Sequence, residues 1–196
     1  MKKILVGYIT HSGTTRDVAE AIAEEIGKAG CEAELLPMDE VKSMAGYDAV
    51  VLGAPMIVGW HRSALAFLRN RKAELESKPL ALFLTGMALT DGPRPELGQI
   101  RLHLDEKLLE PSKKPGRLGF KESFTTIKHY LQPVLAVSPK SLAAVGFFGG
   151  RMDFYRLKWY EALFVMVVVG AKPGEKRNWA DIRAWAGGLP SLFNLA

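Results

Sequence analysis

Short, almost wholly apolar runs alternate along the chain with segments in which apolar residues recur every three or four positions. Five runs have the length and β-branched content of buried strands: residues 3–9, 32–36, 47–54, 79–85 and 142–148. Helical spacing predicts helices over residues 14–29, 63–75, 96–109, 122–131, 154–170 and 179–186. Because strands that alternate with helices build right-handed βαβ units, we predict a doubly wound α/β fold with five parallel strands in the order 2-1-3-4-5.

Composition limits the class of protein further. The 196 residues, 48% of them hydrophobic and 24% charged, suit one domain over residues 1–196. The longest apolar run, 162–171, is half of the about 20 residues that a membrane-spanning helix needs. Cys31 is the only cysteine, so an intrachain disulfide is excluded. The histidines are too scattered to predict a metal site.

The net charge of +5 weakly favours an anionic partner. We do not expect that partner to be nucleic acid, because a basic cluster between residues 113 and 121 has no aromatic residues interleaved with it for base stacking. Lys2 and Lys3 precede the first apolar run, but that run is too short for a signal peptide. We therefore expect a cytoplasmic protein.

Ligands of this fold bind beyond the carboxyl ends of the strands, near the point where the strand order reverses. The loop after the first strand carries four hydroxyl side chains and a glycine, and it opens a helix; it consists of Thr10, His11, Ser12, Gly13, Thr14 and Thr15. Hydroxyls beside a helix amino terminus predict a phosphate site. The alternative is that Ser12 or Thr14 only caps the helix, which requires one hydroxyl and not four.

Other phosphate-binding classes lack their motifs here. The chain has no Gly-x-x-x-x-Gly-Lys-[Ser/Thr] and no Gly-x-Gly-x-x-Gly after the first strand, which argues against a nucleoside triphosphatase and a dinucleotide-binding domain. A phosphoacceptor receiver domain needs an acidic cluster on these loops, and Thr10 and Ala54 stand at the relevant strand ends instead.

The pattern Thr10-x-Ser12-Gly13-x-Thr15 resembles the phosphate loop of the flavodoxins, which hold FMN. The resemblance implies a flavodoxin-like three-layer α/β/α fold and FMN as the cofactor. It further implies that Thr10, Ser12, Thr14 and Thr15 donate hydroxyls to the phosphate and that Gly13 lets the backbone approach it. His11 stands at a position where the family varies.

Two further loops are predicted to hold the flavin ring, which needs flat apolar contact and nearby backbone groups. They are Pro55, Met56, Ile57, Val58, Gly59 and Trp60 after the third strand, and Thr85, Gly86, Met87 and Ala88 after the fourth. Trp60 either stacks on the ring or anchors the next helix to the sheet. Flavodoxins often carry an aromatic residue in the second loop, so its absence here leaves the outer ring face open unless another side chain covers it.

The resemblance extends to the menaquinone-dependent protoporphyrinogen oxidases and their flavodoxin-domain relatives. It rests on Gly53, Gly59 and Ser63-Ala64-Leu65, and on two carboxyl-terminal segments, 148–155 and 178–186. Residues from about 90 to 120 look longer than in that family and are predicted to be an insertion. The resemblance implies an FMN-dependent oxidoreductase of haem biosynthesis with a quinone acceptor, and no catalytic acid or base is assigned.

Two other functions remain open at this stage. One is a flavodoxin-type electron-transfer protein without its own substrate, against which the net charge of +5 argues because such carriers are usually acidic. The other is a scaffold that has lost FMN, against which the intact hydroxyl loop argues. Residues 157–170 are strongly apolar and flanked by cations, which predicts contact with the inner face of the cell membrane, a homodimer interface, or burial in the core.

Overall fold

The computed structural model describes residues 1–57, 59–91, 94–112, 118–152 and 174–195. Its strands, in chain order, are β1 Lys3–Tyr8, β2 Glu32–Pro37, β3 Ala49–Pro55, β4 Leu80–Gly86, β5 Leu89–Thr90, β6 Arg101–Leu104, β7 Leu109–Glu110, β8 Leu142–Gly149, β9 Arg151–Met152 and β10 Gly174–Glu175. The helices are α1 Thr14–Lys28, α2 Arg62–Asn70, α3 Lys72–Leu75, α4 Phe120–Ser123, α5 Ile127–Val137 and α6 Trp179–Leu192.

Six of these strands form one parallel sheet in the order β2-β1-β3-β4-β8-β6. Strands β3 and β4 lie at its centre and are buried over almost their whole length, which explains why their sequences are apolar on both faces. One core layer lies between the sheet and helices α2 and α5, and the other between the sheet and helices α1 and α6. The predicted three-layer α/β/α arrangement is confirmed.

The prediction of five strands is wrong by one, and the predicted helix over 96–109 is wrong as well. The sixth strand, β6, lies inside that segment and pairs with β8 from Arg101 opposite Ala144 to Leu104 opposite Phe147. Leu102 and Leu104 pack against the α2/α5 layer, whereas His103 contacts Phe148 of the other layer. This alternation over four residues is too short to stand out against the surrounding helical spacing, and pairing at the sheet edge decides the conformation.

The helix boundaries also differ from the prediction. Helix α6 runs through Gly187 to Leu192, because Leu189 and Phe193 continue its buried face against the core. Asn178 is the N-cap residue of α6, but its side chain donates to Asp105 instead of capping the helix. The predicted helix 63–75 divides at Arg71 into α2 and α3, and Pro133 lies inside α5.

The apolar helix predicted over 154–170 lies outside the described residues, as do residues 113–117 of the basic cluster. Among the helices that the structure describes, none has the length and apolar character required to cross a bilayer.

Candidate functional site

The three loops predicted to form a site lie side by side at the carboxyl edge of the sheet. The amide of Ile9 donates to the carbonyl of Gly53 at 2.9 Å, and the amide of Met56 donates to the carbonyl of Thr85 at 2.7 Å. A fourth segment joins them, because the amide of Gly150 after β8 donates to the carbonyl of Gly86 at 2.6 Å. The strand order therefore brings the ends of β1, β3, β4 and β8 together, as expected at this position in the fold.

The first of these loops ends in a helix amino terminus that lacks a side-chain cap. Gly13 is the N-cap residue of α1 and has φ of 90°, a left-handed conformation that favours glycine. Its amide donates to Thr10 Oγ1 at 3.0 Å, which closes the loop. Since glycine has no side chain to accept from the first helical turn, the positive end of the helix dipole faces the loop. Such a terminus can hold an anionic phosphate.

The four hydroxyls of this loop have different partners. Thr14 donates its hydroxyl to the carbonyl of Arg151 at 3.1 Å, and the buried hydroxyl of Thr15 shares a hydrogen bond of 2.8 Å with that of Thr85. A threonine has one hydroxyl proton, so the proton of Thr14 is already committed to the protein. Thr10 and Ser12 are half-buried at the loop surface, and His11 is exposed.

The loop after β3 is a tight turn. Met56 and Trp60 form an antiparallel bridge, and the amide of Ile57 donates to the carbonyl of Gly59 at 3.2 Å. Gly59 has φ of 121°, which explains the glycine at this position. Pro55 ends β3, and Val58 lies outside the described residues. Ile57 is 43% exposed, so the turn presents an apolar side chain to solvent.

Trp60 is packed inside the protein. Its side chain is 3% exposed within the α2/α5 layer, and Nε1 donates to the carbonyl of Ala54 at 3.1 Å. A buried indole needs such an acceptor for its N–H group. The structure therefore supports the anchoring alternative for Trp60.

The loop after β4 is held by the segment that follows it. A Cβ on Gly86 would lie 2.7 Å from Met56 Cε, so the glycine brings this loop against the previous one. Met87 and Ala88 are half-buried, and the next two residues form β5, which pairs with β7. Thr90 also shares a hydrogen bond of 2.7 Å with Thr125. Strand β5 therefore anchors the end of this loop.

Two histidines stand where the first and second loops meet. His61 is the N-cap residue of α2, and its Nδ1 accepts from the amide of Ser63 at 3.3 Å. Burial lowers the pKa of His61, and the charge of His11 lowers it further. His61 is therefore neutral near pH 7 with its proton on Nε2, where it can donate a hydrogen bond. No role was predicted for His61 from the sequence, although its place between a loop and a helix is typical of an N-cap.

The part of the chain that the structure describes contains no group of three His, Cys, Asp or Glu side chains suited to a metal ion. The three loops instead combine an uncapped helix amino terminus with an exposed apolar side chain, Ile57.

The comparison with known families decides between the ligand classes. The sequence profile described as "Flavodoxin domain" matches residues 5–178, which include all three loops. This chain belongs to the flavodoxin-domain family. Flavodoxin domains hold FMN, so the family confirms the cofactor that the first loop predicts.

This flavodoxin domain is similar to the protoporphyrinogen IX dehydrogenase (quinone) of Escherichia coli strain K12, with 22% identity over 176 residues, which are 88% of this chain and 82% of that one. Among solved structures it is similar to oxidised flavodoxin 2 from Bacillus cereus, with a TM-score of 0.47, 13% identity, and 99% and 98% of the two chains covered. It is also similar to rubredoxin oxygen:oxidoreductase from Desulfovibrio gigas, with a TM-score of 0.40, 19% identity, and 44% and 24% covered. The match thus spans about a quarter of that last protein's length.

Proposed function

We propose that this flavodoxin domain is an FMN-dependent oxidoreductase that oxidises a reduced organic substrate of the protoporphyrinogen type and reduces a quinone. Bound FMN supplies the electron-transfer chemistry. In each cycle the substrate loses two electrons and two protons, and the quinone gains them and becomes a quinol. The similarity to the quinone-dependent dehydrogenase of Escherichia coli supports this choice of substrate class.

The phosphate of FMN would bind at the amino terminus of α1. In this assignment the hydroxyls of Thr10 and Ser12 and the first-turn amides contact the phosphate oxygens, while Thr14 and Thr15 shape the loop through their bonds to Arg151 and Thr85. The flavin ring would lie between the turn at 55–60 and the loop at 85–88. Ile57 and Met87 would provide the apolar contacts.

The observation that carries the proposal is the lack of an exposed aromatic side chain on either ring loop. Trp60 is buried and bonded to Ala54, and the loop at 85–88 contains no aromatic residue. Within the described residues of these loops, the exposed apolar side chain that could contact the outer ring face is Ile57, which is 43% exposed. An open face allows a small organic substrate to lie directly against the flavin, which a shuttle between proteins does not require.

Charge favours the enzyme over the electron carrier as well. The net charge of +5 suits an acidic substrate better than it suits the role of an acidic carrier. Neutral His61 at the rim offers a hydrogen-bond donor to an incoming substrate. Contact of residues 157–170 with a membrane or with a second subunit stays a prediction from the sequence, because that segment lies outside the described residues.

Anaerobic mixing tests this function. Protein loaded with oxidised FMN is mixed with protoporphyrinogen, and the loss of flavin absorbance is followed before a quinone is added. We expect rapid bleaching by protoporphyrinogen and return of the absorbance with the quinone, with neither change in cofactor-free protein. If the bound FMN is not reduced by protoporphyrinogen but exchanges electrons with redox proteins, the protein is an electron carrier and the proposal is wrong.

A further inference from the structure

A pair of short strands, β9 and β10, contacts the helix that begins at the phosphate loop. The two strands pair antiparallel, with Met152 opposite Gly174 and Arg151 opposite Glu175. This β9–β10 pair is bonded to the first turn of α1 directly, because the carbonyl of Arg151 accepts the hydroxyl proton of Thr14 at 3.1 Å. These two residues are 137 positions apart in the sequence.

A second link to the same helical turn comes from Arg177. Its Nη1 donates to Asp17 Oδ2 at 2.6 Å, and Asp17 lies in the first turn of α1. The other edge of the guanidinium donates to both carboxylate oxygens of Glu175, at 2.6 and 2.5 Å. The Arg177 side chain is only 7% exposed and lies 4.6 Å from the ring of Trp179. Because the guanidinium is planar and binds a carboxylate on each edge, it fixes both the distance between Asp17 and Glu175 and their relative orientation.

The β9–β10 pair is also fixed to the sheet. The amide of Lys176 donates to the carbonyl of Gly150 at 2.9 Å, and Lys176 Nζ lies 2.7 Å from Glu110 in β7. A Cβ on Gly149 would lie 2.0 Å from the carbonyl oxygen of Lys176, which shows how closely this segment approaches the end of β8. Arg177 therefore connects α1 to a support that is itself held by the sheet.

We propose that Arg177 is a positioning residue for the phosphate loop. It contacts no part of the loop, but through Asp17 it sets the place and direction of the turn whose amides face the phosphate. The turn depends on outside support because its N-cap, Gly13, contributes no side chain. This inference rests on FMN binding at the loop, as in the proposed function.

Binding of FMN and of riboflavin by the same variants tests the inference. Riboflavin has the flavin ring but no phosphate, so a defect in phosphate positioning weakens FMN alone. The variants are Arg177→Lys, which keeps the charge but loses the two-edged geometry, and Asp17→Asn, which leaves Arg177 in place. The matched control is Arg183→Met. Like Arg177, Arg183 binds carboxylates of α1, but its partners are Glu24 and Glu25, toward the other end of that helix and far from the loop.

Asp17→Asn separates positioning from simple charge. Removing a negative charge near the phosphate tightens FMN binding if only electrostatic repulsion matters. If Asp17 acts by positioning, its substitution weakens FMN binding instead. We therefore expect both Asp17→Asn and Arg177→Lys to raise the Kd for FMN about tenfold, which is the effect of one lost charge-assisted hydrogen bond. The Kd for riboflavin should change less than about twofold, and Arg183→Met should leave the ratio of the two constants unchanged.

Three results would overturn the inference: tighter or unchanged FMN binding by Asp17→Asn, equal losses for FMN and riboflavin, or the same change of ratio in Arg183→Met. Hydrogen exchange of the first-turn amides of α1 in cofactor-free protein gives a second readout, and we expect it to be faster in Asp17→Asn and Arg177→Lys only. If the unaltered protein binds neither flavin, it is the proposed cofactor site that fails.

Discussion

The four hydroxyl side chains of the phosphate loop have different structural roles, although their residue types are alike. Thr10, Ser12, Thr14 and Thr15 are equivalent in the sequence pattern, yet Thr14 and Thr15 form bonds to residues more than 60 positions away. Thr15 is 1% exposed, and its partner Thr85 is 3% exposed. This buried pair joins the first turn of α1 to the end of β4, so it holds the two loops together.

The Thr15–Thr85 pair is tested by a double-mutant cycle. Thr15→Val keeps the side-chain shape but leaves the buried hydroxyl of Thr85 without its partner, at a cost of about 1–3 kcal/mol in the free energy of unfolding. Combining it with Thr85→Val removes both hydroxyls and should recover most of that loss. Urea unfolding of the four proteins measures the cycle, and strictly additive losses would show that the two hydroxyls do not interact.

His61 should make stability depend on pH. Burial holds its pKa below the ordinary value, so the unfolded chain binds the proton more tightly. The contribution of His61 to the free energy of unfolding is therefore fully present above about pH 6.5. It is lost as the pH falls through the lower pKa of His61 in the folded protein.

The variant His61→Asn keeps an N-cap acceptor for the amide of Ser63 but does not titrate. Between about pH 7.5 and pH 5 we expect the Tm of the unaltered protein to fall more than that of His61→Asn. Thermal unfolding across this range measures the difference. Parallel pH profiles would mean that His61 is as easily protonated in the folded state as in the unfolded chain.

At the scale of elements, β3 and β4 fit together through one glycine. A Cβ on Gly53 would lie 1.8 Å from Cζ of the fully buried Phe83, so the ring lies directly over the glycine. Gly53 lies two residues before the turn at 55–60, which is predicted to contact the flavin. Close packing of these strands therefore also sets the direction in which the turn leaves the sheet.

Gly53→Ala should destabilise the protein by about 3 kcal/mol, because the added methyl group displaces the Phe83 ring. In the Gly53→Ala background, Phe83→Leu should cost less than it does alone, since the smaller side chain relieves the overlap. Gly27→Ala in α1 is the control: no atom lies within 4 Å of the added methyl group, so helix propensity should make it stabilising. Chemical unfolding measures all of these, and a neutral Gly53→Ala would contradict the packing described.

Strands buried on both faces were predictable from sequence, and peripheral elements were not. The runs that became β1, β3, β4 and β8 are apolar throughout because both faces are covered. Strand β6 covers four residues at the edge and depends on β8 for its conformation. Helix α6 passes Gly187 because contacts of Leu189 and Phe193 with the core outweigh the local cost of glycine.

The position of the site was predictable because topology alone places the three loops at one edge. The roles within it were not, because they depend on partners remote in sequence. The indole of Trp60 donates to Ala54, and the first turn of α1 is tied to Arg151 and Arg177. Sequence spacing holds no signal for these contacts.

At the scale of the whole molecule, the segment between β4 and β8 contacts the carboxyl-terminal segment. The first of these adds β6 to the sheet and forms the small β5–β7 ladder beside the loop at 85–88. Lys176, which follows β10, connects that ladder to the β9–β10 pair through Glu110. Two parts of the chain that lie outside the predicted five-stranded core are therefore joined to each other.

The central claim is that this flavodoxin domain binds FMN through the loop at residues 10–15. Calorimetric titration of cofactor-free protein with FMN, FAD and NAD tests it most directly. We predict one FMN per chain, much weaker binding of FAD and NAD, and an FMN Kd raised about a hundredfold or more by Thr10→Val with Ser12→Ala, which removes the two proposed hydrogen bonds to a charged phosphate together with the bond from the Gly13 amide that closes the loop. Folded protein that binds no FMN, or a double variant with unaltered affinity, would contradict the account.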